Sequence, residues 1–126
     1  MWDGTRERAA AGWVLVVEDD VLIAMTVEDI VRELGFRHVT VAYHHGQALE
    51  AIAMFTPSLA VLDITLADGT DDFSIADALS ARGAPFVFYS GRGVADLPER
   101  HRRRPFVGKP APGDVLAGTI RRALSN

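Results

Sequence analysis

The chain contains no cysteine. Disulfide scaffolds, thiolate metal sites and cysteine nucleophiles are therefore excluded outright. It also lacks any apolar run approaching the ~18 residues that a membrane-spanning helix requires. Excess charge of one sign is small: 13 Lys and Arg against 17 Asp and Glu give a formal net charge of −4. That balance offers no global electrostatic reason to bind nucleic acid or a membrane surface, and neither is expected as a partner. Met1–Gly12 carries Asp3, Arg6, Glu7 and Arg8 without an apolar core, so it does not read as a secretion signal. It reads instead as a flexible arm. The absence of cysteine is compatible with a reducing cytoplasm, where the chain is expected to work.

What is present fits a folded domain. Hydrophobic residues fill 48% of the 126 positions, which argues against disorder. The length suits one domain, expected over 13–126, with no internal repeat and no linker. Three short apolar runs each end on a charged residue. Trp13-Val14-Leu15-Val16-Val17 ends in Glu18-Asp19-Asp20, Leu59-Ala60-Val61-Leu62 ends in Asp63, and Phe106-Val107-Gly108 ends in Lys109-Pro110. Runs this short, bounded by polar residues, Gly or Pro, read as buried parallel strands. Further strands are expected at Phe36–Ala42 and Pro85–Tyr89, and the last at Pro105–Val107.

Helical spacing fills the intervals. Ile23, Val27, Ile30, Val31 and Leu34 form a stripe on a helix over Val21–Leu34, closed by Gly35. Gly46–Phe55 turns Ala48, Leu49, Ile52 and Ala53 inward and stops before Pro57. A Gly- and Asp-rich loop, Ala67–Asp72, leads into a helix at Ser74–Ala81, and a final helix covers Gly113–Leu124. Gly91–Arg104 resists assignment, because two glycines and Pro98 weaken any helix there. Strands alternating with helices imply βαβ units. The expectation is a doubly wound α/β fold: a five-stranded parallel sheet of flavodoxin-like order 2-1-3-4-5 with five flanking helical segments.

In such sheets the ligand site lies beyond the carboxyl ends of the strands. Asp19, Asp20 and Asp63 would converge there with Lys109, a collection that suits a hard divalent cation and a phosphoryl group. Asp63 is the first candidate nucleophile, since a carboxylate can form a hydrolysable acyl phosphate. Its alternative role is to cap the following loop. Asp19 and Asp20 read as a metal-binding pair, although Asp is also a favoured helix N-cap and Asp20 is the better placed for it. Glu18 reads as acidic support. Lys109 supplies the counter-charge that a transferring phosphoryl group needs.

These residues, in this order and spacing, resemble the receiver domain of bacterial two-component response regulators, from about Val14 to Leu124. The motifs that carry the resemblance are Asp19-Asp20, Asp63, Ser90 after Phe86-Val87-Phe88-Tyr89, and Lys109-Pro110. It implies that Asp63 takes phosphate from a histidine kinase or histidine phosphotransfer protein with Mg²⁺, and that the domain then signals to a downstream protein. It further implies that the Thr65 main-chain carbonyl joins the metal ligands, that Ser90 hydrogen-bonds the phosphate, and that Lys109-Pro110 is cis. Phe106 stands where receivers carry a switch aromatic, without the hydroxyl of a tyrosine, and reads equally well as a plain core residue. More narrowly, Ser74–Leu79, Ala81-Arg82-Gly83 and Pro85–Phe88 resemble alphaproteobacterial stand-alone receivers, which usually carry Thr-Gly-Tyr where this chain has Ser90-Gly91-Arg92.

Three rival readings deserve weight. One is a receiver cut from a hybrid kinase, and another is a pseudo-receiver that binds partners without phosphorylation. The third, a Mg²⁺-dependent aspartyl phosphohydrolase, needs a second acid close behind its nucleophile, and here Ile64 and Thr65 follow Asp63. A phosphoacceptor rather than a turnover enzyme is expected. Leu22 and Met25 lie off the buried stripe of their helix, near the acidic mouth, with Pro110 and Ala111 on its far side. They are candidates for docking the helices of a histidine-bearing partner; the alternative is that Leu22 packs under a neighbouring helix and Met25 is a scattered surface apolar residue. His38, His44, His45 and His101, and the basic run Arg100, Arg102, Arg103 and Arg104, read as solvated.

Overall fold

Five short strands build one parallel sheet in the computed structural model, which describes residues 12–65 and 73–125. The expected arm up to residue 11 and the expected loop Ala67–Asp72 lie outside the described residues. The strands are β1 (Trp13–Val17), β2 (His38–Ala42), β3 (Leu59–Leu62), β4 (Phe86–Ser90) and β5 (Phe106–Gly108). Their order is β2-β1-β3-β4-β5, the doubly wound arrangement expected from the alternation.

Period-two alternation divides the side chains of each strand between two faces. Leu15, Val17, Ala60, Leu62, Phe86 and Phe88 enter one core. Val14, Val16, Leu59, Val61, Val87 and Val107 enter the other. The second face is covered by α1 (Val21–Glu33) and α4 (Gly113–Ser125) through Val27, Val31, Leu116 and Ile120. The first is covered by α2 (His45–Met54) and α3 (Ser74–Ala81) through Ala48, Ile52, Ile75 and Leu79. Burial on both faces is why these strands read as unbroken apolar runs. Each fully buried Val or Leu contributes about 1.5–3 kcal/mol relative to exposure.

Several expected boundaries shift. After α1, Gly35 adopts φ 108°, a left-handed conformation that glycine takes without penalty. Phe36 N–H then donates to the Val31 carbonyl and its ring is buried, so Phe36 seals the helix end. Strand β2 therefore begins at His38, not Phe36. On α2, Ala53 faces solvent and Ala51 takes the inward place expected for it. Strand β4 runs one residue further than expected and includes Ser90. Strand β5 likewise reaches Gly108.

The largest correction concerns the fifth helical segment. Within Gly91–Arg104 there are only two 3₁₀ turns, Val94–Asp96 and Glu99–His101, so the described residues contain four α-helices. Tertiary contacts hold this stretch in place of a helical stripe. Leu97 is buried, Arg100 makes a two-pronged pair with Asp77 of α3, and Arg104 bonds the Ser80 hydroxyl and lies over the Phe86 ring. His101, expected in solvent, is 2% exposed. Its Nε2 lies 2.7 Å from Asp77 Oδ1 and its ring packs edge-on against Phe86 and Phe88. Among the described residues, no helix is long and apolar enough to cross a membrane.

Candidate functional site

Backbone ladders carry straight through the strand ends into the charged residues. Glu18 N–H donates to Ala42 O, Asp63 N–H to Val17 O, and Lys109 N–H to Ser90 O, each at 2.9–3.0 Å. The main chain of Glu18, Asp63 and Lys109 is thus fixed by the sheet, with each side chain directed by the strand before it. That placement suits a site needing preset geometry.

Lys109 joins two strand ends. Its Nζ donates to Asp63 Oδ2 at 3.0 Å and also to Glu18 Oε1. Glu18 is 3% exposed. Burial raises its pKa above the ordinary range, against the opposing bonds from Lys109 and from the Asp20 N–H. For Lys109, burial pulls the pKa down, but the bonds to Glu18 and Asp63 outweigh it and the net shift is upward. The ammonium therefore stays charged at neutral pH, clamped between two acids.

Three carboxylates, those of Glu18, Asp19 and Asp63, each offer an oxygen within 4.8 Å of the others. This grouping differs by one residue from the expected trio of Asp19, Asp20 and Asp63. Asp20 turns the other way. It is extended, and its Oδ1 accepts from Leu22 N at 2.9 Å and Ile23 N at 3.1 Å, which makes it the N-cap of α1. Strand β1 ends at Val17, so the first two residues past it, Glu18 and Asp19, face the mouth. A set of hard oxygen donors this close fits a divalent cation such as Mg²⁺.

The remaining expected residues fall around this centre. Thr65 is exposed, and its N–H donates to Asp63 Oδ1 at 3.2 Å. Ser90 is 1% exposed at the end of β4, with Oγ accepting from Arg92 N at 3.2 Å. The Lys109–Pro110 peptide is cis. Phe106 is half-buried, its ring centroid 6.3 Å from that of Phe88. Leu22 and Met25 are 76% and 57% exposed, and Val21 beside them 54%. Pro110 is exposed, whereas Ala111 is half-buried against the α1–α4 core.

Sequence reasoning gave Glu18 only a supporting role and did not place Arg92 beside the site. Glu18 was legible in principle as the first residue beyond an apolar strand. Arg92 was visible only as an unusual residue after Ser90-Gly91, and its NH1 now lies 3.3 Å from Thr65 Oγ1. Of the other histidines, His38 is exposed as expected, His44 Nδ1 accepts from Gln47 N, and His45 Nε2 bonds the Ser74 hydroxyl. A groove of about 680 Å³ opens at the opposite end of the sheet, lined by Trp13, Met54, Phe55 and Ser58. It contains none of Glu18, Asp19, Asp63 or Lys109.

No family model matches the chain. Among solved structures it is similar to SdrG from Sphingomonas melonis Fr1, with 34% identity and a TM-score of 0.78 over 91% of this chain and 97% of that one. It is also similar to the REC domain of the response regulator PhyR from Erythrobacter litoralis, at 35% identity over 90% of each chain, with a TM-score of 0.77. The transcriptional regulatory protein PdtaR of Mycobacterium tuberculosis is 33% identical over 91 residues, which are 71% of this chain and 43% of PdtaR. The chain spans less than half the length of the curated relatives it matches.

Proposed function

This chain belongs to the receiver-domain family of response regulators, and we propose that it accepts a phosphoryl group on Asp63 and signals by docking a partner protein. The observation that carries the reading is the Lys109 ammonium, bonded at once to Asp63 and to the buried Glu18. A carboxylate so held is fixed at both oxygens, Oδ2 by the Lys109 ammonium and Oδ1 by the Thr65 N–H.

In the proposed step an Asp63 carboxylate oxygen attacks the phosphorus of a phosphohistidine. A P–O bond forms, the P–N bond breaks, and its electron pair returns to the imidazole. The product is an aspartyl phosphate, later hydrolysed by water. Lys109 pairs with the phosphoryl oxygens as charge transfers, and the Ser90 hydroxyl stands at the neighbouring strand end to donate to them. Glu18, Asp19 and Asp63, with the Thr65 carbonyl, would hold Mg²⁺, which neutralises the charge of the transferring group. Phe106 beside Phe88 is the ring through which Ser90 movement would be felt. The chemistry ends on a covalent state of the protein, which is a signal and not a turnover product.

The donor would be a histidine kinase or a histidine phosphotransfer protein, which places the reaction in the cytoplasm. Val21, Leu22 and Met25, contiguous and exposed at the start of α1, offer its helices an apolar contact beside the mouth, and Pro110 extends the rim. An output protein would read the phosphorylated state. The test is intact mass after incubation with acetyl phosphate or phosphoramidate and Mg²⁺. One phosphoryl-sized increase is expected, absent in Asp63→Asn and absent with chelator. No increase, or one that persists in Asp63→Asn, would overturn the reading.

A further inference from the structure

The groove at the far end of the sheet from Glu18 and Asp63 takes no part in the chemistry, yet its walls are apolar and open. Met54, the last residue of α2, is 73% exposed, and Phe55 after it 65%. The Phe55 ring meets Trp13 edge-on with centroids 6.3 Å apart, so the two form one aromatic wall. Trp13 is itself held in place, its indole N–H donating to Thr40 Oγ1 at 2.8 Å. Thr56 and Ser58 add hydroxyls to the lining. A volume of about 680 Å³ has room for a large side chain. Contiguous apolar exposure of this kind marks a surface that something covers.

The occupant is indicated by where the chain enters the fold. Residue 12 is the first described residue, and the next, Trp13, is a wall of the groove. Residues 1–11 are therefore rooted at the groove's own edge. Their sequence is Met-Trp-Asp-Gly-Thr-Arg-Glu-Arg-Ala-Ala-Ala, in which Met1 and Trp2 are the large apolar side chains. Extended at about 3.3 Å per residue, the stretch from Trp2 to Trp13 reaches at most roughly 36 Å, ample to double back over a groove beside its root. A tether this short holds Trp2 near the groove at an effective concentration of about millimolar, which a separate partner would have to match.

We propose that residues 1–11 of this same chain fold back over the groove and seat Trp2 against Met54, Phe55 and Trp13. An indole buries about 150–250 Å² and packs edge-on against other rings. Its N–H needs an acceptor when buried, and the Thr56 and Ser58 hydroxyl oxygens are at hand. The contact lies at the start of β1, whereas Glu18 follows the end of that strand. It stands apart from the phosphoacceptor reading.

The experiment uses the full chain, in which Trp2 and Trp13 are the two tryptophans. Their indole N–H signals are told apart in an NMR spectrum by Trp2→Phe. Nuclear Overhauser contacts are expected from the Trp2 indole to the Met54 methyl and the Phe55 ring. Met54→Asp with Phe55→Asp, both at exposed positions, should abolish them and make tryptophan fluorescence several-fold easier to quench with acrylamide. The same increase should be missing when Trp2→Phe is already present. A wild-type chain without these contacts, whose quenching the double substitution leaves unchanged, would overturn the proposal. Contacts found only between labelled and unlabelled chains in a mixture would also overturn it, assigning the groove to a second copy.

Discussion

Lys109 and Asp63, 46 residues apart in sequence, meet at 3.0 Å across a sheet in which their strands are not neighbours. Strand β4 lies between β3 and β5, so the contact exists only if the ladder from Asp63 to Lys109 is in register. The Lys109 N–H bond to the Ser90 carbonyl supplies the last rung. Fold and site are therefore one construction, and a variant at either residue reads both.

Metal should stabilise the fold through Glu18 and Asp19. Clustered carboxylates repel one another, and a bound cation relieves that by mass action, worth about 2.7 kcal/mol at a hundredfold excess over Kd. Millimolar Mg²⁺ should raise the Tm, with the rise diminished in Glu18→Gln and Asp19→Asn. Asp20→Ala should retain most of the rise yet lose about 1 kcal/mol of baseline stability as the α1 cap is removed. Thermal melts with and without Mg²⁺ check this; an Mg²⁺ response lost only in the Asp20 variant would restore the earlier pairing.

Lys109→Ala should lower stability by about 1–3 kcal/mol, because Glu18 and Asp63 then keep buried acceptors without a donor. Phosphorylation by acetyl phosphate should slow in the same variant. Urea unfolding and labelling rates measure the two effects. Full labelling speed would remove Lys109 from the chemistry.

Acid sensitivity should trace partly to Asp77. The Arg100 bond, followed by that of His101, holds its carboxyl below the ordinary 3.8. A depressed carboxylate pKa contributes stability that is present above 3.8 and lost as pH falls below it toward the folded value. Asp77→Asn should therefore be less stable than wild type at about pH 6, and the gap should narrow near pH 3. A gap that stays constant with pH would assign the loss to packing.

Docking should be separable from chemistry. Leu22→Glu with Met25→Glu places two charges on an exposed apolar contact beside the mouth while leaving the α1–α4 core untouched. Transfer from a phosphorylated histidine protein should fall, and acetyl phosphate labelling should persist. Equal loss of both, or of neither, would remove this face from partner recognition.

The central strands were legible because burial on both faces leaves unbroken apolar runs, and the charge after each run announced the mouth. Which acids face it was less legible. Glu18, Asp19 and Asp20 have the same chemistry, and only the extended backbone of Asp20, bonded to two α1 amides, separates a cap from a site residue. Gly91–Arg104 was opaque for a different reason. Its order comes from Arg100, His101 and Arg104 reaching Asp77, Ser80 and Phe86 far away in sequence, and no local period encodes such contacts. For the same reason His101 looked solvated in sequence and is buried in the fold.

The most direct measurement locates the phosphoryl group itself. After labelling with acetyl phosphate and Mg²⁺, borohydride reduction converts an aspartyl phosphate to homoserine, and peptide mass spectrometry reads its position. Homoserine at residue 63, and nowhere else, is the predicted result. Reduction at position 19 or 20, or at none of the aspartates, would contradict the account.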